Sequence, residues 1–143
     1  MLDKEFITRK IKLIQEELSK LEGLKGFSFD EIKKDGVKMA AVERYLEKVV
    51  MRAIDINQHI ISELGKGNEP LRGYEDTFYA LAKIGVYGED FAKEIAPSAG
   101  LRNRLVHEYN STKEEVVFDS VSDALKQYVK YCDFVLKFMN SNS

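Results

Sequence analysis

The sequence predicts an all-α protein, an up-and-down bundle of about five helices joined by short connections. Apolar residues recur at spacings of three and four over most of the chain, the period of a helix with one buried face. Glycine and proline cut that pattern into segments. No stretch alternates with the two-residue period of a half-buried strand. With 143 residues, 44% of them hydrophobic, the chain is long enough to bury one core, and residues 1–143 are read as one domain.

From about Asp3 to Leu21, Ile7, Ile11, Ile14, Leu18 and Leu21 form the apolar stripe of a first helix, which Gly23 and Gly26 end. Ser28 and Glu31 have the spacing of a capping box, with Gly36 close enough behind to keep any helix there short. The longest periodic run covers about Val37 to Leu64. Met39, Val42, Leu46, Val49, Ala53, Ile56 and Ile60 form its seam, flanked by Val50, Ile54, Ile61 and Leu64. So wide an apolar face suits a central helix touching several neighbours. Gly65, Gly67 and Pro70 close it.

A shorter helix is expected from Tyr74 to Ile84, with Phe78, Leu81 and Ala82 inward and Gly85 and Gly88 as stops. The next runs from about Glu89 through Glu108. Pro97 removes a backbone donor there, so a kink or a restart is expected near Ser98, and Leu101, Leu105 and Val106 are expected to face the core. Thr112 and Glu115 have capping spacing for a last helix from about Lys113 to Met139. Its seam is Phe118, Val121, Leu125, Tyr128, Cys132, Val135 and Met139, and residues 140–143 are expected to fray.

Twenty-two basic residues against 24 acidic ones give a formal charge of -2, which argues against coating nucleic acid through bulk charge but leaves room for one local basic site. Cys132 is the single cysteine, so no intrachain disulfide forms, and with two histidines it cannot complete a four-ligand structural zinc site. The start of the chain is charged and no apolar run is long enough to span a bilayer. A cytoplasmic protein without membrane contact, metal or cofactor is expected.

Chemistry concentrates in the stretch Gly100-Leu101-Arg102-Asn103-Arg104-Leu105-Val106-His107-Glu108-Tyr109. Histidine titrates near neutrality and can take or give a proton. Arginine stays charged, and its planar fork matches phosphate oxygens and the added charge of a phosphoryl transition state. Together Arg102 and His107 suit metal-independent RNA cleavage, in which a base activates a ribose 2′-hydroxyl against the adjacent phosphate. On a regular helix residues five apart point roughly 140° apart, so the pair does not share a face. The arginine must curl back, the helix must distort, or a two-fold dimer must bring two sets around one cleft. A second stripe, Lys48, Arg52, Asp55 and His59, lies along one side of the long helix. Its ordinary reading is a solvated face, and its functional reading has Asp55 orienting a catalytic group and Arg52 meeting a phosphate.

The motif closely resembles the signature of the HepT-like family of the HEPN superfamily. That signature is arginine, four residues, histidine, one residue, tyrosine, with a polar residue directly after the arginine, and Arg102, Asn103, His107 and Tyr109 fit it together. Arg104 does not fit, because only two residues separate it from His107. Residues 55–61 look like the family's long second helix, and Tyr74 to Val86 look like the segment before the motif. The resemblance implies an all-α HEPN-like homodimer and an RNase toxin of a toxin–antitoxin pair. Its implied partner is an MntA-type nucleotidyltransferase that transfers AMP from ATP to the motif tyrosine. Carried over by position, Arg102 and His107 would be catalytic, Asn103 supporting and Tyr109 the AMPylation acceptor. A noncatalytic dimeric adaptor of the nucleotidyltransferase is the alternative.

Overall fold

A computed structural model describes residues 1–65, 71–100 and 111–142, the side chains of 111–114 excepted. Among the described residues every regular element is a helix. The first, α1, spans Lys4–Leu24 and starts at Asp3, whose side chain accepts from the Phe6 N–H. It runs three residues past Leu21. The capping box at Ser28 forms in both directions and opens the six-residue α2, Phe29–Lys34. Asp35 then caps α3, Gly36–Leu64, by accepting from the Val37 and Lys38 N–H groups. The long helix is therefore third in chain order, because α2 intervenes.

Gly65 ends α3 where the chain passes close to its own last turn. A Cβ there would sit 2.5 Å from the Ile61 carbonyl oxygen, too close for any other residue without a shift of backbone. Helix α4, Tyr74–Ile84, stops at Gly85, whose φ of 104° is left-handed and whose N–H reaches the Leu81 and Ala82 carbonyls. Helix α5 covers Glu89–Ile95. Its backbone breaks at Ala96 and Pro97 and resumes as helix at 98–100, the restart expected near Ser98. The last helix, α6, spans Ser111–Ser141. It is already running at Thr112, ahead of the expected cap, and it continues through Ser141, into the tail expected to fray. The Asn142 side chain donates to the Phe138 carbonyl at 2.9 Å, which satisfies a group that would otherwise open the last turn. The described helices thus number six rather than about five, since α2 forms a full turn of its own. Leu101, Leu105 and Val106 lie outside the described residues.

Helix α3 is the centre of the bundle, packed against α1, α2, α4 and α6. Its seam from Met39 to Ile60 is buried throughout, together with Val50 and Ile54. The edge of the expected face is not: Ile61 is half-buried and Leu64 is 37% exposed. The α4 face is shifted as well. Thr77 is buried beside Phe78 and Leu81, while Ala82 is half-buried. Aromatic rings join α5 to α6, with Phe91 and Phe134 centroids 5.0 Å apart.

Candidate functional site

Arg102, Asn103, His107 and Tyr109 lie outside the described residues, so the structure shows what flanks the motif and what supports it. On the entry side, Ala96 and Ala99 are buried, and the Ser98 hydroxyl lies 2.6 Å from the Tyr128 hydroxyl in the middle of α6. On the exit side the chain is helical from Ser111. At about 1.5 Å per residue, Tyr128 stands some 25 Å along α6 from Ser111. The two flanks of the motif are thus separated by more than half the length of the helix that carries both anchors.

Tyr128 is fully buried, and burial pushes its hydroxyl well above the ordinary tyrosine range, against the opposing pull of the Ser98 hydrogen bond. Burial does the same to Tyr131, whose side chain ties three helices together. Its hydroxyl donates toward the Asn57 side-chain oxygen at 2.6 Å and lies 3.1 Å from the Ala53 carbonyl. Asn57 in turn donates to the Thr77 hydroxyl at 3.0 Å, and Thr77 donates to the Tyr74 carbonyl at 2.6 Å. Every buried polar group in that chain has a partner, as low-dielectric burial requires. These groups are neutral and mutually satisfied, so they brace α3, α4 and α6 rather than exchange protons. Sequence reading missed them. The available signal was Asn57, a polar residue on the apolar seam between Ile56 and Ile60.

The stripe on α3 is not a solvated face. Each of its residues turns toward α1. The Lys10 ammonium pairs with Asp55 at 2.9 Å, and the Arg52 guanidinium reaches the buried Glu17 at 3.4 Å, with Lys48 at 3.9 Å from the same oxygen. His59 accepts a hydrogen bond from the Asp3 N–H at 2.9 Å, its ring 5.2 Å from that of Phe6. Partly exposed pairs of this kind contribute roughly 0–1 kcal/mol each, and their main effect is to fix the register of α1 on α3. The unforeseen residue is Glu17, a carboxylate on α1 that is 4% exposed. Its second oxygen and the Arg52 Nε have no hydrogen-bond partner among the described residues. Arg52 and Asp55, expected to support the motif, thus already hold α1 in place.

A groove between the end of α1, α3 and the start of α6 is lined by Leu24, Phe27, Val42, Phe118 and Val121, with Lys25 and Asp119 at its rim. It offers apolar surface and single charges rather than a convergent set of catalytic groups. Among the described residues no cluster of His, Cys, Asp and Glu is arranged to hold a metal ion, and no helix is long and apolar enough to cross a membrane.

Known proteins of similar sequence and fold share this frame. A tRNA nuclease HepT from Aphanizomenon flos-aquae is 38% identical over 125 residues, 87% of this chain and 84% of that protein. A putative RNase from Archaeoglobus fulgidus is 29% identical over 122 residues, 85% of this chain and 84% of that protein. In fold, the chain resembles the tri-AMPylated HEPN toxin of Shewanella oneidensis, solved in complex with its MNT antitoxin. The TM-score is 0.80 at 23% identity, covering 96% of this chain and 99% of that one. The model of the ribonuclease HepT-like family matches residues 14–135, all of the bundle but the start of α1 and the end of α6, and the chain belongs to that family.

Proposed function

We propose that this chain is the ribonuclease toxin of a toxin–antitoxin pair, acting in the cytoplasm as a homodimer. Its reaction is metal-independent endonucleolytic cleavage of RNA, with tRNA as the substrate class. The observation that carries the proposal is the 38% identity to a tRNA nuclease over most of both chains, in a sequence that keeps the complete Arg102-Asn103…His107-x-Tyr109 motif.

In this reaction neutral His107 removes the proton of a ribose 2′-hydroxyl, and the oxygen attacks the adjacent phosphorus. The bond to the next nucleotide's 5′-oxygen breaks and that oxygen takes a proton from water, leaving a 2′,3′-cyclic phosphate and a 5′-hydroxyl, while His107 returns its proton to solvent. In this reading the Arg102 fork offsets the extra negative charge on the phosphoryl oxygens, and Asn103 supports it. Arg52 and Asp55 belong to the site as supports acting through the α1–α3 contact. Silencing follows from Tyr109. A nucleotidyltransferase partner of the MntA type delivers AMP from ATP to the tyrosine oxygen with release of pyrophosphate, adding bulk and negative charge where RNA phosphates must approach. The solved HEPN toxin carrying AMP beside its MNT antitoxin supports this reading.

The test is cleavage of tRNA by purified dimer whose Tyr109 is shown by intact mass to be unmodified. Wild type is expected to cleave equally well with and without EDTA, and His107→Ala and Arg102→Ala are each expected to lose activity by at least about 100-fold. A wild-type dimer that leaves tRNA intact while still binding a nucleotidyltransferase would replace this reading with the noncatalytic adaptor.

A further inference from the structure

Regular helix is interrupted just before the motif. Helix α5 ends at Ile95, Pro97 has no N–H to continue it, and helical backbone resumes at 98–100. There the Ala99 and Gly100 N–H groups donate to the Ala96 and Pro97 carbonyls at 3.1 and 3.0 Å. These bonds reach only Ala96 and Pro97, so such a break loosens the coupling of the resumed helical turn to α5. Two kinds of contact restore it. Ala96 and Ala99 bury their methyl groups, but a methyl is small and its packing is not directional. The Ser98 hydroxyl at 2.6 Å from Tyr128 is directional, and the Tyr128 ring is a fixed point, fully buried and packed 5.8 Å from Tyr131.

Resting on the ribonuclease reading, we propose that Ser98 and Tyr128 are positioning residues for the cleavage. Their hydrogen bond sets the rotation at which the chain enters the motif, four residues ahead of Arg102. Neither group touches substrate. Both act through the arginine, whose fork must meet a phosphoryl oxygen at hydrogen-bond distance. Misplacing a catalytic group by about 1 Å costs on the order of 100-fold in rate. With Ala96 and Ala99 still in place, loss of this one anchor is expected to lower kcat about 10-fold and leave KM within about two-fold, because positioning is felt most in the transition state.

The experiment compares wild type, Tyr128→Phe, Ser98→Ala, Ser98→Thr and Tyr131→Phe as purified, Tyr109-unmodified dimers. It measures tRNA cleavage, thermal midpoint and amide hydrogen exchange at Ala99 and Gly100. Tyr128→Phe and Ser98→Ala are expected to lose kcat and exchange faster at those amides, and Ser98→Thr to recover both. Tyr131→Phe removes an equally buried hydroxyl from the same helix. It is expected to lower the midpoint and keep kcat. The proposal is overturned if folded Tyr128→Phe and Ser98→Ala cleave at the wild-type kcat, or if Tyr131→Phe loses as much kcat as they do. Should wild type fail to cleave tRNA, the ribonuclease reading falls. The exchange comparison then still decides the anchor: faster exchange in the two variants supports it, and unchanged exchange overturns it.

Discussion

Asn57 has no accessible surface, yet both ends of its side-chain amide are paired, to Tyr131 on one side and Thr77 on the other. At this scale the energetics turn on what a deletion leaves behind. Tyr131→Phe keeps the ring and leaves the buried Asn57 oxygen without its donor, while the Ala53 carbonyl keeps its bond within α3, so a loss of about 1–3 kcal/mol is expected in urea unfolding. An unchanged midpoint would mean that water replaces the hydroxyl. Cys132 is a contrasting case. It is a buried seam residue whose thiol is pushed up to about 12, chiefly by desolvation, as a small core side chain rather than a nucleophile would be. The seam position of Cys132 was readable in the sequence. The partners of Asn57 were not, because Thr77 and Tyr131 lie 20 and 74 residues away along the chain.

Elements were legible wherever their ends are fixed by local chemistry. The Ser28/Glu31 box, the stop at Gly85 and the break at Pro97 all formed as expected, since each needs only neighbours within a turn. Asp35 is the junction that spacing did not reveal, closing α2 and opening α3 with one side chain. The hydrogen bond from the Lys38 ammonium holds its carboxyl below the usual value, helped by the Lys38 N–H and opposed by slight desolvation. A folded-state pKa below the unfolded one means that the contribution to stability is present above the unfolded value of 3.8 and is lost as pH falls through the folded value. Asp35→Asn is therefore expected to be less stable than wild type at pH 7, with the gap closing below about pH 4 in matched urea titrations. A gap that stays constant from pH 7 to pH 2 would remove the carboxylate charge from the explanation.

For the whole molecule, the central α3 packs against four other helices, and the charged stripe, read either as a solvated face or as support for the motif, binds α1. On a helix Arg102 and His107 point apart, and a two-fold dimer is the economical way to bring such a pair to one phosphate. Complementation tests this. A chain with Arg102→Ala mixed with one carrying His107→Ala gives heterodimers with one intact composite site. Random pairing then restores roughly a quarter of wild-type cleavage. Mixtures as inactive as the parents would place each pair within a single chain.

By itself the sequence determined the helices, most of their ends and the residues of the motif. Helix period, caps and breakers act over a few residues, and a motif at fixed spacing needs no fold to be seen. Tertiary structure decided which charges are surface and which are struts. Arg52 and Asp55, read either as a solvated face or as support for the motif, became contacts with Glu17 and Lys10 once α1 lay against α3. It also decided that Tyr128 meets Ser98, thirty residues earlier. Hydrogen bonds and ion pairs depend on which surfaces are brought to within a few ångströms, and along a chain of helices that is set by packing rather than by sequence distance.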